Sequence, residues 1–309
     1  MFAAIFPGQG SQSVGMMEDL YQSSSKIREL YKTASSVLNY DLWELTVSDP
    51  SKKLNDTVYT QPAMLVAGVA SWESYTSRFD LLPKYMAGHS LGEYSALVCS
   101  GVINFTDAVK IVQTRAKFMA EAVPSNLGAM AAIIGSTDKG AIDLCDFARD
   151  NEVLSAVNFN APGQVVIAGN KSAVERAIDN SREFGAKRAI MLNVSVPSHC
   201  KLMDEVSIKL KNLLSTIHFN QFTIPVIKNI DARVYNDTAE LIEGLSAQVK
   251  EPVQWTETIK FITNTGIKKF IEYGPGGILC GLNKRIDRSI NSFKLDSIDA
   301  HELINDEFT

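Results

Sequence analysis

The chain opens on an apolar segment, Phe2–Phe6, that stops at Pro7-Gly8-Gln9-Gly10. An apolar run cut off by turn-forming residues predicts a short strand. A mixed polar and apolar pattern from about Met16 to Leu38 predicts a helix, and Pro62–Tyr75, apolar nearly all round, predicts a buried one. Tyr85-Met86-Ala87 reads as a second short strand, and Glu93–Cys99 as the start of a helix that Gly101 ends. Thr106 can cap the next helix, from Asp107 to about Ala122, which Pro124 closes.

From Gly128 the pattern changes. Gly128–Gly135 predicts a strand, Lys139–Asp150 a helix, Val153–Asn158 and Gln164–Ala168 two strands, Ala173–Phe184 a helix and Lys187–Leu192 a strand. This is β-α-β-β-α-β over about 65 residues, the ferredoxin-like order. The flanks alternate strands and helices in another way. The expected organisation is therefore a small domain at 126–194, inserted in a larger α/β domain made of 1–125 and 195–309. After Pro197 a helix is expected to about Leu214, short strands at Pro225–Ile227 and Lys269–Glu272, and a helix from near Ile278. The polar tail after about Asn291 is expected to be poorly ordered.

Composition narrows the classes. At roughly 150 residues per domain, 309 residues suggest two domains. With 45% hydrophobic and 21% charged residues, wholesale disorder is excluded. Thirty basic against 35 acidic residues give −5, the wrong sign for a chain that mainly binds nucleic acid. No apolar run approaches the roughly 18–20 residues of a membrane span, and Met1–Phe6 lacks the basic flank of a signal peptide. Cys99, Cys145, Cys200 and Cys280 are scattered, which suggests neither a zinc site nor a disulfide framework; reduced thiols in a cytoplasm are expected.

The strongest chemical signal is Gly88-His89-Ser90-Leu91-Gly92, a G-x-S-x-G after a short strand and before a helix. A sharp strand–turn–helix needs small residues two before and two after the serine. The turn lifts the hydroxyl out of the sheet, and the next backbone N–H can join an oxyanion hole. The alternative is a glycine-rich turn with an ordinary serine. A serine nucleophile needs a base. Of the four histidines, His89 adjoins the serine, His218 lies between Ile217 and Phe219, and His301 is in the acidic tail. By elimination the candidate is His199, in a loop opening a helix. No carboxylate stands where a hydrolase would have its third triad member, and a carbonyl could orient the imidazole instead. Arg115 falls on the stripe of Ala108, Ile111, Val112, Met119 and Ala122. A guanidinium there needs a partner, either a protein carboxylate such as Glu93 or a substrate carboxylate gripped bidentately. The Gly8–Gly10 loop fits neither a dinucleotide fingerprint nor a P-loop, and reads as a source of backbone N–H groups for an oxyanion or as a tight turn.

Taken together, FPGQGSQ at 6–12, TQPA at 60–63, GHSLGE at 88–93, TRAKFM at 114–119, PSH at 197–199 and EPVQW at 251–255 resemble the malonyl-CoA:acyl-carrier-protein transacylases of type II fatty-acid synthesis. NAPGQVVIAG at 160–169 and EYGPGGIL at 272–279 resemble further segments of that family. The resemblance implies an α/β-hydrolase-like large domain with an inserted ferredoxin-like (βαββαβ) small domain. It implies ping-pong transfer: Ser90 takes malonyl from coenzyme A with His199 as base, and the phosphopantetheine thiol of holo acyl carrier protein then takes it from Ser90. On the same basis, the backbone N–H groups of Gln9 and Leu91 form the oxyanion hole, Arg115 holds the malonyl carboxylate, and the main-chain carbonyl of Gln248 orients His199. No metal and no cofactor beyond the coenzyme A thioester substrate are expected, and the chain is expected to be a cytoplasmic monomer. Tyr273 departs from the family, which commonly has a small or aliphatic residue there. Pro197-Ser198 before the histidine follows the free-standing fatty-acid enzymes and favours malonyl.

Other readings share parts of this pattern. A serine esterase or thioesterase on the same elbow would need neither Arg115 nor a thiol acceptor. A polyketide-pathway acyltransferase would share nearly everything, and a non-catalytic binding protein would not need serine, histidine and arginine together. Carrier proteins of such pathways are acidic, so a −5 enzyme must attract one through a local basic patch. Lys187-Arg188 and Lys284-Arg285 are the candidates.

Overall fold

The structure, a computed structural model, describes every residue from 1 to 309 except Ser125, Ser195 and Thr309. The first half contains β1 (Ala3–Phe6), α1 (Glu18–Ser23), α2 (Ser25–Leu38), α3 (Leu42–Val47), α4 (Thr57–Thr76), β2 (Tyr85–Gly88), α5 (Gly92–Cys99), α6 (Phe105–Ala122), β3 (Gly128–Ile134) and α7 (Asp138–Ala148). The second half contains β4 (Leu154–Ala161), β5 (Gln164–Asn170), α8 (Lys171–Asn180), β6 (Arg188–Met191), α9 (Asp204–Leu214), β7 (Val226–Ile227), α10 (Thr238–Gln248), α11 (Trp255–Asn264), β8 (Lys269–Tyr273), α12 (Ile278–Ile286), β9 (Asn291–Leu295) and α13 (Asp299–Phe308). The chain divides into two compact units, one of Met1–Thr114, Ile217–Ile227 and Phe261–Thr309, the other of Arg115–Thr216 and Lys228–Lys260. Among the described residues no helix is long and apolar enough to cross a membrane.

The first unit holds a parallel sheet of order β7-β2-β1-β8-β9. Its central strand, β1, is wholly buried, which is why Ala3–Phe6 is apolar without alternation. The parallel register sets Phe6 beside Gly88, so the loops that leave β1 and β2 emerge side by side at the carboxyl edge of the sheet. Helix α4 is buried along nearly its whole length. It starts at Thr57 rather than Pro62, capped by the Asp56 carboxylate, which accepts from Val58 N–H; Pro62 sits inside the helix and gives up one backbone bond. Tyr273 fills the core beside it, stacked on Phe6 at 5.5 Å and edge-on to Trp72 at 5.2 Å. The residue that departs from the family is therefore a packing residue.

Three expectations for this unit need correction. The helix expected over Met16–Leu38 is two helices, because Ser24 is extended and its hydroxyl caps α2 by accepting from Ile27 N–H. Helix α6 begins at Phe105, where the Asn104 carbonyl accepts from Ala108 N–H, so Thr106 lies in the first turn and is not the cap. The tail is folded: β9 pairs with β8 over Asn291–Leu295, and α13 follows, with Leu295, Ala300, His301 and Ile304 buried. Its few apolar residues are spaced to bury one face, which an average over a polar segment hides.

The second unit is built on an antiparallel sheet of order β4-β5-β3-β6. Residues alternate between its faces. Ala129, Ala131 and Ile133 of β3 pack with Leu144 of α7 and Val174 of α8, while Met130 packs with Val157, Val166 and Cys200 on the other side. Thr137 caps α7 by accepting from Gly140 N–H at 3.0 Å. After Pro197 the chain stays irregular through Cys200, makes one 3-10 turn and only then enters α9, later than expected. The end of β4 is tied to the segment after α10, where Phe159 N–H donates to the Val253 carbonyl at 3.0 Å.

Candidate active site

In the first unit the elbow has the geometry its glycines predict. Ser90, half-buried, has φ 51°, a left-handed conformation that a residue with a side chain seldom adopts and that marks functional turns. A Cβ on Gly88 would strike the Gly92 carbonyl and Glu93 nitrogen, and one on Gly92 would strike the Phe6 carbonyl. Both must therefore be glycine for the turn to close. His89 N–H donates to the Phe6 carbonyl at 2.9 Å, which ties the elbow to the end of β1. Leu91 follows as the N-cap of α5, so its N–H stands at the electropositive end of a helix. The loop after β1 presses on the same turn: a Cβ on Gly8 would strike the His89 carbonyl. The two backbone segments assigned to an oxyanion hole, at Gln9 and Leu91, thus leave neighbouring strands and pack through Gly8.

The second unit brings together His199, Gln248 and Arg115. His199 is 2% exposed and has φ 64°, a second strained position. Its ring Nδ1 lies 2.6 Å from the Gln248 carbonyl, and its backbone N–H donates to the Val249 carbonyl at 2.8 Å. A carbonyl only accepts, so Nδ1 carries the proton and the lone pair is on Nε2. These two carbonyls stand at the C-terminus of α10, where helix carbonyls lack intrahelical partners and the helix dipole is negative. That end of a helix can orient the imidazole, a task an aspartate performs in a triad. Cys200 next door is inert, its thiol pushed up to about 11 by burial.

Arg115 is 1% exposed, and its Nη2 donates to the Gln248 side-chain oxygen at 2.9 Å. One glutamine therefore contacts both groups, the imidazole through its main chain and the guanidinium through its side chain. Ala108, Ile111, Val112 and Met119 are buried with Arg115, whereas Ala122 is exposed and lies off the stripe. His218 is exposed, and His301 is buried in α13. Sequence reasoning missed the side chains behind the Gly8–Gly10 loop. Thr57 Oγ1 donates to Gln9 Oε1 at 2.9 Å, and Gln61 Nε2 donates to Thr57 Oγ1 at 3.0 Å. The only signal for them was Gln61 in the TQPA segment.

The acyl transferase domain family matches residues 3–291. The malonyl CoA-acyl carrier protein transacylase of Escherichia coli strain K12 is 48% identical over 299 residues, covering 97% of each chain. That of Bacillus subtilis strain 168 is 38% identical over 302 residues, covering 97% of this chain and 95% of its own. The crystal structure of an acyl carrier protein S-malonyltransferase from Vibrio cholerae has a TM-score of 0.95 at 46% identity, covering 98% of this chain and 99% of that one. A holo complex of a type II PKS acyl-carrier protein with its malonyl-transacylase has a TM-score of 0.97 at 44% identity, covering 99% of each. The chain belongs to the acyl transferase domain family, in its malonyl-CoA:acyl-carrier-protein transacylase branch.

Proposed function

We infer that this chain transfers malonyl from malonyl-CoA to the phosphopantetheine thiol of acyl carrier protein, through a malonyl ester on Ser90. The observation that carries the reading is the elbow, with Ser90 at positive φ between two glycines that admit no Cβ. In the first half-reaction Nε2 of His199 accepts the Ser90 hydroxyl proton as the oxygen attacks the thioester carbon. The oxyanion is received by the N–H groups of Gln9 and Leu91. Collapse breaks the carbon–sulfur bond, and the imidazolium returns the proton to the coenzyme A sulfur. The second half repeats this with the carrier thiol as nucleophile and Ser90 as leaving group. The bonds and protons balance with these groups alone, so the proposal invokes no metal or cofactor. Arg115 holds the malonyl carboxylate, which fixes the acyl group for attack by a thiol.

The finer architecture is part of the same proposal. Residues 1–125 and 195–309 form an α/β-hydrolase-like domain, supported by the parallel sheet and its elbow. Residues 126–194 form a ferredoxin-like insertion, supported by the βαββαβ order and the β4-β5-β3-β6 sheet. The chain acts as a monomer in the cytoplasm.

Labelled malonyl-CoA, followed by peptide mass spectrometry, tests the chemistry. A malonyl adduct is expected on the peptide containing Ser90 and is absent from Ser90→Ala. Holo carrier protein should discharge it as malonyl thioester. Discharge as free malonate at the same rate without carrier protein would make the chain a hydrolase.

A further inference from the structure

The Pro7–Gly10 loop is held on two sides. On one, Gly8 lies against the His89 carbonyl of the elbow. On the other, its Gln9 reaches the start of α4. Thr57 Oγ1 donates to Gln9 Oε1, and behind it Gln61 Nε2 donates to Thr57 Oγ1. A second tie runs alongside: Gln12 Nε2 donates to Asn55 Oδ1 at 2.9 Å, while Gln12 Oε1 accepts from Gly10 N–H at 2.7 Å. Gln9 itself is exposed, whereas Thr57 is 2% exposed and Gln61 fully buried. An exposed residue beside a left-handed glycine, Gly10 at φ 101°, would otherwise sample many backbone states. It is instead anchored to a buried relay in the most buried helix of the unit.

We propose that Thr57 is a positioning residue for acyl transfer, its buried hydroxyl holding the Gln9 side chain and so aiming the Gln9 backbone N–H at the oxyanion. This rests on the reading that Gln9 supplies one of the oxyanion donors. An oxyanion donor is effective only when it already points at the charge that develops, so a small rotation of the peptide is enough to weaken it. The hydroxyl is chemically suited to the task because it accepts from Gln61 and donates to Gln9 at once. Valine has the same shape and does neither, whereas serine does both.

The test compares Thr57→Val, Thr57→Ser and Gln9→Ala, measuring the single-turnover rate of Ser90 malonylation, kcat and KM for malonyl-CoA, and the thermal midpoint. Removing an oxyanion donor outright lowers rates about 100- to 1000-fold, so misaiming one should lower malonylation roughly tenfold. Thr57→Val should show that loss with KM within about twofold of wild type, and Thr57→Ser should restore the rate. Gln9→Ala keeps the N–H and removes the handle, so Thr57→Val should cause no further loss in that background. Wild-type malonylation by Thr57→Val, a loss that serine does not restore, or losses that multiply in the double variant would each overturn the proposal. Absence of a Ser90 adduct in the wild-type protein would instead overturn the parent reading, whatever the Thr57 variants do.

Discussion

Arg115 shows what a single residue contributes. A fully buried guanidinium has given up its hydration, and its Nη2 is already engaged by a glutamine oxygen that fixes the plane of the fork. A guanidinium fork held in a fixed plane suits a carboxylate, which malonyl has and acetyl lacks. A hydrogen-bonded charge of this kind contributes about 1.5–3 kcal/mol, so Arg115→Ala should lower malonyl transfer on the order of 10- to 100-fold. Transfer of acetyl from acetyl-CoA should change little, and equal losses for both acyl groups would remove the carboxylate-holding role. Residues such as Arg115, Ser90 and His199 are legible in sequence because their side chains break a pattern or complete one. The group that orients His199 is a backbone carbonyl, identical in every residue type, so only family resemblance pointed to Gln248. Thr57 was not legible for a related reason: a threonine at the first position of a helix looks like ordinary polar capping, and its partner lies 48 residues away.

Among the elements, the C-terminal helix departs most from what its composition suggests. His301 joins α13 to α4: its Nε2 lies 3.0 Å from Ser74 Oγ and its Nδ1 3.1 Å from the Ile298 carbonyl. A neutral ring donates to the Ile298 carbonyl and accepts from the Ser74 hydroxyl, while the Ser74 carbonyl, 3.3 Å from Nε2, is an acceptor that only the charged ring could also satisfy. Burial holds its pKa below the ordinary histidine value and the nearby Arg78 charge acts the same way, outweighing the carbonyls of Ile298, Ser74 and Ser297, which favour the charged ring. In the unfolded chain it titrates near 6.5. Between that value and the lower folded one, the unfolded chain binds the proton and the folded chain does not. Stability contributed by the neutral ring is therefore intact above about pH 6.5, falls as the pH drops through that window, and levels off below the folded pKa. The thermal midpoint of the wild type should drop between about pH 7.5 and pH 5.5 by more than that of His301→Gln, and parallel curves would remove His301 from the docking of α13. The tail is polar enough to read as disordered because a few buried side chains, among them Leu295, Ala300, His301 and Ile304, suffice to seat it. The remaining strands of both sheets, by contrast, were legible as short apolar or alternating runs bounded by turn residues, whereas β9 (Asn291–Leu295) was missed with the tail.

For the molecule as a whole, length suggests two domains, but the chain passes between its two compact units four times, a connectivity that length alone does not convey. Net charge poses a sharper constraint. At −5 the chain repels an acidic carrier protein at long range, so encounter depends on a local surface of opposite sign. In the first unit, Lys284 and Arg285 are exposed in the last turn of α12, with the Lys284 ammonium donating to the Arg288 carbonyl at 2.9 Å. Exposed Ile278 opens the same helix and gives an incoming protein an apolar contact beside the charges. In the second unit, Lys187 and Arg188 are exposed where β6 begins. Charges at the edge of an interface act mainly on the rate of encounter and its salt dependence. Reversing either pair to glutamate should therefore slow transfer to carrier protein, roughly tenfold at low ionic strength and less at high, while Ser90 malonylation by malonyl-CoA stays at the wild-type rate. The pair whose reversal leaves both the rate and its salt dependence unchanged does not meet the carrier, and if both pairs behave so, the attraction arises elsewhere on the surface.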